Sequence, residues 1–126
     1  MNYKKLLINK IKKNNSKICV VGLGYVGLPL AIHFSKKYKI FGFDIDKEKL
    51  KNISNNMSYI KQFSNTQIKK LNSKGFFATN DPKKISEADI IIFCLPTPLK
   101  NFKPDLSYVN NSIKLFFPYI KKGSAI

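Results

Sequence analysis

Three glycines, at positions 22, 24 and 27, lie between a run of β-branched apolar residues and a segment with apolar residues at helical spacing. The preceding run, Lys17 to Val21, predicts a buried strand, and Tyr25 to Lys37 predicts a helix. A strand can turn into a helix within so few residues only where no side chain obstructs the turn, and glycine has none. The sequence therefore predicts a strand, a tight turn and a helix in direct succession.

The rest of the chain continues this alternation of strands and helices. Such alternation favours a parallel sheet with helices packed on it. We therefore expect an α/β fold, a Rossmann-type doubly wound parallel sheet, incomplete at the C-terminus, over residues 17–126, preceded by a basic helical extension over residues 1–16. Further strands are predicted over residues 39–43, 76–79 and 88–95, the last covered on both faces, and another strand begins at 124–126. Helices are predicted over 3–13, 47–54, from Ser64 or Thr66 to Leu71, 82–87 and 106–120. Residues 55–63 are expected to be irregular.

The glycine spacing, placed between a strand and a helix, is the context of a dinucleotide-binding turn. Gly22 permits the tight turn, Gly24 lets the backbone approach a pyrophosphate, and Gly27 lets the helix pack close to the strands. The backbone N–H groups around Tyr25 and Val26 would then face a phosphate at the positive end of the helix.

An acidic residue, Asp44, ends the second predicted strand, where a carboxylate can accept hydrogen bonds from the adenosine ribose. Its charge would repel a 2′-phosphate, so the sequence favours NAD over NADP. Lys47 and Lys49 weaken this preference, because a cation could offset part of the repulsion.

Composition narrows the remaining classes of function. The 23 basic residues are all lysine and give a net charge of +16, but they are scattered through the predicted helices and loops. Nucleic-acid binding favours a concentrated basic face, so we do not expect a nucleic-acid partner. Cys19 and Cys94 lie in apolar runs and are expected to be buried thiols, and no cluster of metal ligands is present. No apolar segment is long enough for a membrane span, so a cytoplasmic protein is expected.

Two stretches resemble the UDP-glucose/GDP-mannose dehydrogenase family. The first is KICVVGLGYVGLPLAIHFSKKYKIFGFDID at 17–46, in which GYVGLPLA is more specific than the glycine spacing alone. The second is IIIFCLPTPL at 90–99, followed by KPDLSYV at 103–109, similar to the family's fourth strand, its PTP loop and the next helix. Within the family, these stretches are similar in sequence to the branch that oxidises UDP-N-acetylhexosamines for surface polysaccharides.

The resemblance implies an NAD site built from particular residues. Lys49 stands where the family often has arginine, which puts a bidentate or stacked contact in doubt. By position, the implied residues are Gly22, Gly24, Tyr25, Val26 and Gly27 at the pyrophosphate, Asp44 and Lys49 at the adenosine ribose, and Thr97 beside the nicotinamide half.

The resemblance also implies an activity that these residues cannot complete. Family members convert a sugar C6 alcohol into a carboxylate by two hydride transfers, through a thiohemiacetal on a cysteine in the second half of the protein. Neither Cys19 nor Cys94 takes that place, so no catalytic residue is assigned here. A UDP-sugar would bind only with the missing half, and the full-length enzyme is expected to be a homo-oligomer.

Two other interpretations remain open from the sequence. The chain could be a stand-alone NAD-binding remnant without catalysis, and length alone does not separate this from the cofactor domain of an enzyme. It could also be the Rossmann half of a 6-phosphogluconate-type dehydrogenase, although the PTP loop and GYVGLPLA favour the nucleotide-sugar family.

Overall fold

Two parallel strands that are apolar after their first residue form the centre of the molecule. In the computed structural model, which describes residues 1–126, β1 spans Lys17–Val21 and β2 spans Lys39–Phe43. The strands pair in parallel, with Lys17 opposite Lys39 and each following residue in step. Successive side chains point to opposite faces of a sheet, and nearly all of these are buried, so both faces must be covered.

The sheet has four strands in the order β3-β2-β1-β4, with β3 at Ala78–Thr79 and β4 at Ile90–Phe93. Every pairing is parallel. Ala125 forms a parallel bridge with Ile90 on the outer edge of β4. The predicted α/β fold with a parallel sheet is therefore confirmed.

The helices begin largely where the sequence predicts. Asp46, Ser64 and Asp81 each accept a hydrogen bond from a backbone N–H of the helix that follows, and Ser64 forms a capping box with Gln67. The α-helices are α1 Tyr3–Lys12, α2 Gly27–Phe34, α3 Lys47–Ser54, α4 Asn65–Ser73 and α5 Ser107–Phe116, and 3₁₀-helices span Pro82–Glu87 and Phe117–Tyr119.

Helices cover the sheet on both faces, as a doubly wound arrangement requires. One apolar cluster joins the strands to Leu28 of α2 and Ile68 of α4. The other joins the opposite face to Ile85 of the first 3₁₀-helix and Phe116 of α5, which is fully buried. Because β1, β2 and β4 are parallel, their carboxyl ends lie at one edge of the sheet.

Several predicted elements are shorter in the structure, among them the strand predicted over 76–79, which is reduced to β3. The helix predicted over 25–37 is confined to α2, because residues 25 and 26 form a turn before it and residues 35–37 form a turn after it. The helix predicted over 106–120 becomes 3₁₀ after Phe116, since Pro118 has no N–H to donate to the helix.

The strand predicted over 88–95, with cover on both faces, was also wrong in extent. β4 keeps four residues, and of these only Ile91 is fully buried. The outer edge of β4 pairs with the single residue Ala125, so its other side chains have fewer neighbours than those of β1.

A short antiparallel hairpin that the sequence did not predict follows the PTP loop. Its strands are β5 Leu99–Lys100 and β6 Lys103–Pro104. The two turn residues, Asn101 and Phe102, have φ angles of 53° and 61°. Positive φ at both central residues matches the twist of a two-residue hairpin.

The buried carboxylate of Asp89 connects three separate parts of the chain. It accepts hydrogen bonds from Lys10 of α1 at 2.7 Å and from the backbone N–H of Lys17 at 2.9 Å, and Lys121 lies 2.8 Å away. Burial raises the pKa of this carboxyl, but the hydrogen bonds from Lys10, Lys121 and the Lys17 backbone outweigh that effect and lower the pKa to about 2. The charged form of Asp89 therefore stabilises the contact between α1 and the sheet.

No helix in the structure combines the length and the apolar character that crossing a membrane requires.

We predict that Asp89→Asn lowers the free energy of unfolding at neutral pH by about 2 kcal/mol, the difference that corresponds to the lowered pKa. Because the folded pKa lies below the unfolded one, this stabilisation is complete above about pH 4 and is lost as the pH falls towards 2. Urea unfolding of the parent and the variant at several pH values measures it.

Asp105→Asn is the matched control, since it removes one negative charge from a partly exposed carboxylate that forms no salt bridge and accepts from the Ser107 backbone N–H. We expect a smaller effect on the unfolding midpoint than for Asp89→Asn. An equal effect of both substitutions, or an Asp89→Asn effect that does not change with pH, would contradict the assignment.

Candidate functional site

The turn between β1 and α2 requires glycine at position 22. Gly22 has a φ of +92°, which side-chain-bearing residues rarely adopt. A β-carbon here would also lie 2.5 Å from the carbonyl oxygen of Cys94, which follows β4. Both the conformation and the neighbouring strand therefore exclude a side chain.

Gly27 and Gly24 have opposite surroundings. A β-carbon on Gly27 would overlap the carbonyl oxygen of Gly22 and would lie 3.3 Å from the Cys94 β-carbon. A β-carbon on Gly24 would meet no atom within 4 Å. Gly27 thus lets α2 begin directly against the turn, whereas Gly24 faces open space at the end of the sheet.

Four consecutive backbone N–H groups at this turn, those of residues 24–27, donate to no acceptor in the chain. They lie at the N-terminus of α2, and the side chains of Tyr25 and Val26 are exposed, at 73% and 68%. Unpaired N–H groups at a helix N-terminus carry partial positive charge and bind anions. The turn has the donors that a phosphate group needs.

Asp44, at the end of β2, is buried and already hydrogen-bonded. It accepts from the backbone N–H groups of Leu23 and Asp46, each at 2.9 Å. Lys49 of α3 lies 3.5 Å from the same oxygen that Leu23 contacts. The carboxylate therefore holds the glycine turn in place, while its four lone-pair positions leave capacity for a further donor.

A cavity of about 280 Å³ lies at the carboxyl ends of β1, β2 and β4. It brings together the two ends of the candidate site, since Gly22, Gly24, Asp44 and Lys49 all line it. Ligands of open parallel sheets bind at this edge. The remaining lining residues include Ile45, Pro96, Tyr108 and Ser112.

Thr97 and Cys94 lie on or next to the segment that leaves β4, and only one of them lines the cavity. Thr97 is exposed on the loop after β4, next to Pro96, and does not itself line the cavity. Cys94 lines the cavity and is half-buried, so the expectation of a fully buried core thiol is corrected for this residue. It lies one position beyond β4, where the chain leaves the strand.

Among the cavity-lining residues that were not identified from the sequence, two come from the last α-helix. Tyr108 and Ser112 lie on α5 at positions i and i+4, which share one face of a helix. That spacing was visible in the sequence, but nothing in it indicated that this face covers the end of the sheet.

Neither cysteine thiol has the properties of a catalytic nucleophile. Burial raises the pKa of both Cys19 and Cys94, which disfavours the reactive thiolate. No group of three or more His, Cys, Asp or Glu residues is arranged to hold a metal ion. What the site offers chemically is anion binding at the turn and a buried carboxylate beside it. Fold and site together define a dinucleotide-binding domain.

Comparison with known proteins identifies the family. The model of the UDP-glucose/GDP-mannose dehydrogenase family, NAD binding domain, matches residues 16–126. Protein CapL of Staphylococcus aureus is 41% identical over 93 residues, which are 73% of this chain and 21% of CapL. The UDP-N-acetyl-D-glucosamine 6-dehydrogenase of Salmonella typhi is 35% identical and is covered to 26%, with 87% of this chain aligned.

A solved structure agrees in fold. The UDP-D-ManNAc dehydrogenase of Pyrococcus horikoshii superposes with a TM-score of 0.79 at 32% identity, over 86% of this chain and 27% of that chain. The chain belongs to the UDP-glucose/GDP-mannose dehydrogenase family and corresponds to its NAD-binding domain. It spans about a quarter of the length of the relatives it matches.

We predict that valine at position 24 removes cofactor binding and leaves the fold intact, because the new side chain enters open space in front of the unpaired N–H groups. Gly24→Val is expected to raise the Kd for NADH at least about tenfold, a loss of about 1.4 kcal/mol. Its helical circular dichroism and melting temperature are expected to stay close to those of the parent.

Gly27→Val is the contrasting variant, since its side chain would push α2 away from the turn and destabilise the fold by roughly 1–3 kcal/mol or more. NADH fluorescence titration and a thermal melt of each variant provide the measurement. If Gly24→Val melts as early as Gly27→Val, or binds NADH normally, the assignment of the turn to the pyrophosphate is wrong.

Proposed function

We propose that this chain binds NAD along the cavity at the carboxyl ends of the strands, with the pyrophosphate at the turn of residues 22–27. The observation that carries the proposal is the set of four unpaired N–H groups at residues 24–27, beside a glycine that leaves the approach open. Tyr25 and Val26 contribute backbone rather than side-chain contacts.

The adenosine half is assigned to the opposite side of the cavity. Asp44 accepts from a ribose hydroxyl with its remaining lone pairs, and Lys49 forms an ion pair with the same carboxylate at 3.5 Å. Thr97 is proposed on the nicotinamide side because it follows β4, the strand next to β1. When bound, NAD supplies the hydride acceptor, and the residues of this chain hold and orient it.

For the whole protein we propose a nucleotide-sugar 6-dehydrogenase that oxidises the C6 alcohol of a UDP-sugar, with a UDP-N-acetylhexosamine as the substrate. The names of the relatives support this: UDP-N-acetyl-D-glucosamine 6-dehydrogenase in Salmonella typhi and UDP-N-acetyl-D-mannosamine dehydrogenase in Methanococcus vannielii. A role in surface polysaccharide synthesis, a homo-oligomeric assembly and a cytoplasmic location belong to the same proposal. The proposal also divides the chain into a basic helical extension, residues 1–16, and an NAD-binding Rossmann domain, residues 17–126.

We predict that NADH binds more tightly than NADPH and that Asp44→Asn narrows this difference. The amide oxygen still accepts from Leu23, whereas the NH2 group replaces the oxygen that accepts from Asp46. Because the neutral amide no longer repels a 2′-phosphate, NADH affinity falls by about 1–3 kcal/mol while NADPH affinity falls less. Fluorescence titration with both cofactors measures the two dissociation constants.

Glu87→Gln serves as the control, because it removes a negative charge that pairs with Lys17 and Lys84 at the opposite edge of the sheet. We expect it to leave the ratio of the two affinities unchanged. Tighter binding of NADPH by the parent, or an equal loss of both cofactors in Asp44→Asn, would refute the ribose assignment.

We also predict that the 126-residue chain alone reduces no NAD in the presence of UDP-N-acetylglucosamine, since it offers no reactive thiol. The assay follows NADH absorbance, and binding of NADH by the same sample shows that the protein is folded. Turnover by these residues would show that the catalytic groups lie within them. It would overturn the proposal that this chain binds the cofactor but does not carry the catalytic residues.

A further inference from the structure

The segment between α3 and α4 is irregular but well anchored. Ile60 is only 4% exposed and inserts into the apolar cluster on the α2 side of the sheet. Ser58 donates its backbone N–H to the Asn65 side chain at 2.8 Å and its hydroxyl to the Ile60 carbonyl at 2.8 Å. These contacts fix the position of Tyr59, which lies between the two anchored residues.

Tyr59 reaches the glycine turn. Its hydroxyl donates a hydrogen bond of 2.6 Å to the carbonyl oxygen of Leu23, the residue between the first two glycines. The N–H of Leu23 donates to Asp44 at 2.9 Å. The peptide groups on both sides of Leu23 are therefore held by side chains that come from other parts of the chain.

The Leu23 side chain is fixed as well. It is fully buried, and it lies so close to β2 that a β-carbon on Gly42 would come within 2.7 Å of its methyl groups. With its N–H, its carbonyl and its side chain all engaged, Leu23 has little freedom to move. The unpaired N–H groups begin at the next residue, Gly24.

We propose that Tyr59 is a positioning residue for cofactor binding, which orients the N–H groups of residues 24–27 through its hydrogen bond to Leu23. This inference rests on the proposed function of the turn as the pyrophosphate site. An anion site made of backbone donors binds best when the donors are held in place before the ligand arrives, because ordering them on binding costs free energy. Tyr59 touches the backbone of the turn rather than the ligand.

The phenol is suited to a permanent donor role. Burial raises the pKa of Tyr59, and the carboxylates of Asp44 and Asp46 raise it further. The hydroxyl therefore keeps its proton across the pH range in which the protein is folded, and no pH dependence of the contact is expected.

The test compares Tyr59→Phe with Tyr38→Phe. Each removes one tyrosine hydroxyl that donates to a backbone carbonyl, but the Tyr38 hydroxyl contacts Ile11 of α1 at 3.4 Å, far from the turn. NADH and ADP-ribose are titrated against the parent and both variants, well below their melting temperatures. We expect Tyr59→Phe to weaken both ligands by the same factor, about three- to tenfold, and Tyr38→Phe to leave both affinities unchanged.

The outcomes separate this inference from the proposed function. If the parent binds NADH, Gly24→Val does not, and Tyr59→Phe binds like the parent, then the inference is wrong and the pyrophosphate site stands. If Tyr59→Phe lowers the melting temperature without changing affinity, or does not fold, Tyr59 serves the fold only, and the inference is again wrong. A parent chain that binds neither ligand overturns both.

Discussion

The structure depends on the close approach of three backbone segments at the start of α2. The carbonyl of Gly22 lies where a β-carbon of Gly27 would be, and the carbonyl of Cys94 lies 2.5 Å from where a β-carbon of Gly22 would be. Without side chains at these two positions, β1 can turn directly into α2 while β4 runs alongside. The helix N-terminus is thereby brought to the carboxyl edge of the sheet, where the N–H groups of residues 24–27 have no acceptor within the chain.

The carboxyl edge of the sheet has two parts that differ in charge. The turn is lined by backbone donors and attracts an anion, whereas Asp44, at the end of β2, supplies negative charge beside it. The carboxylate also accepts from Leu23, so the same group both shapes the turn and faces the cavity. A dinucleotide has phosphates next to ribose hydroxyls and matches this pattern of donors and acceptors. The high net charge of +16 favours the approach of such an anion from solution.

The sequence predicted the parts of this site that follow local rules. Glycine spacing between a strand and a helix placed the turn, and parallel strands placed Asp44 at the same edge. It could not predict Tyr59, because that contact joins residues 36 positions apart through an irregular segment that has no periodic pattern. The hairpin at 99–104 was missed because its turn residues, Asn101 and Phe102, lack the glycine that usually marks a two-residue turn. The apolar pattern of α5 continues past Phe116, but the α-helix ends there because Pro118 has no N–H to donate.

The proposed mode of cofactor binding depends on a phosphate held by the backbone N–H groups of residues 24–27. Amide chemical shifts of the ¹⁵N-labelled chain, recorded during titration with NADH, test it most directly. We expect the largest shifts at the amides of Gly24, Tyr25, Val26 and Gly27, and smaller ones at Leu23, whose N–H already donates to Asp44. Shifts that leave these four amides unchanged and concentrate at another surface, such as the hairpin at 99–104, would contradict the claim.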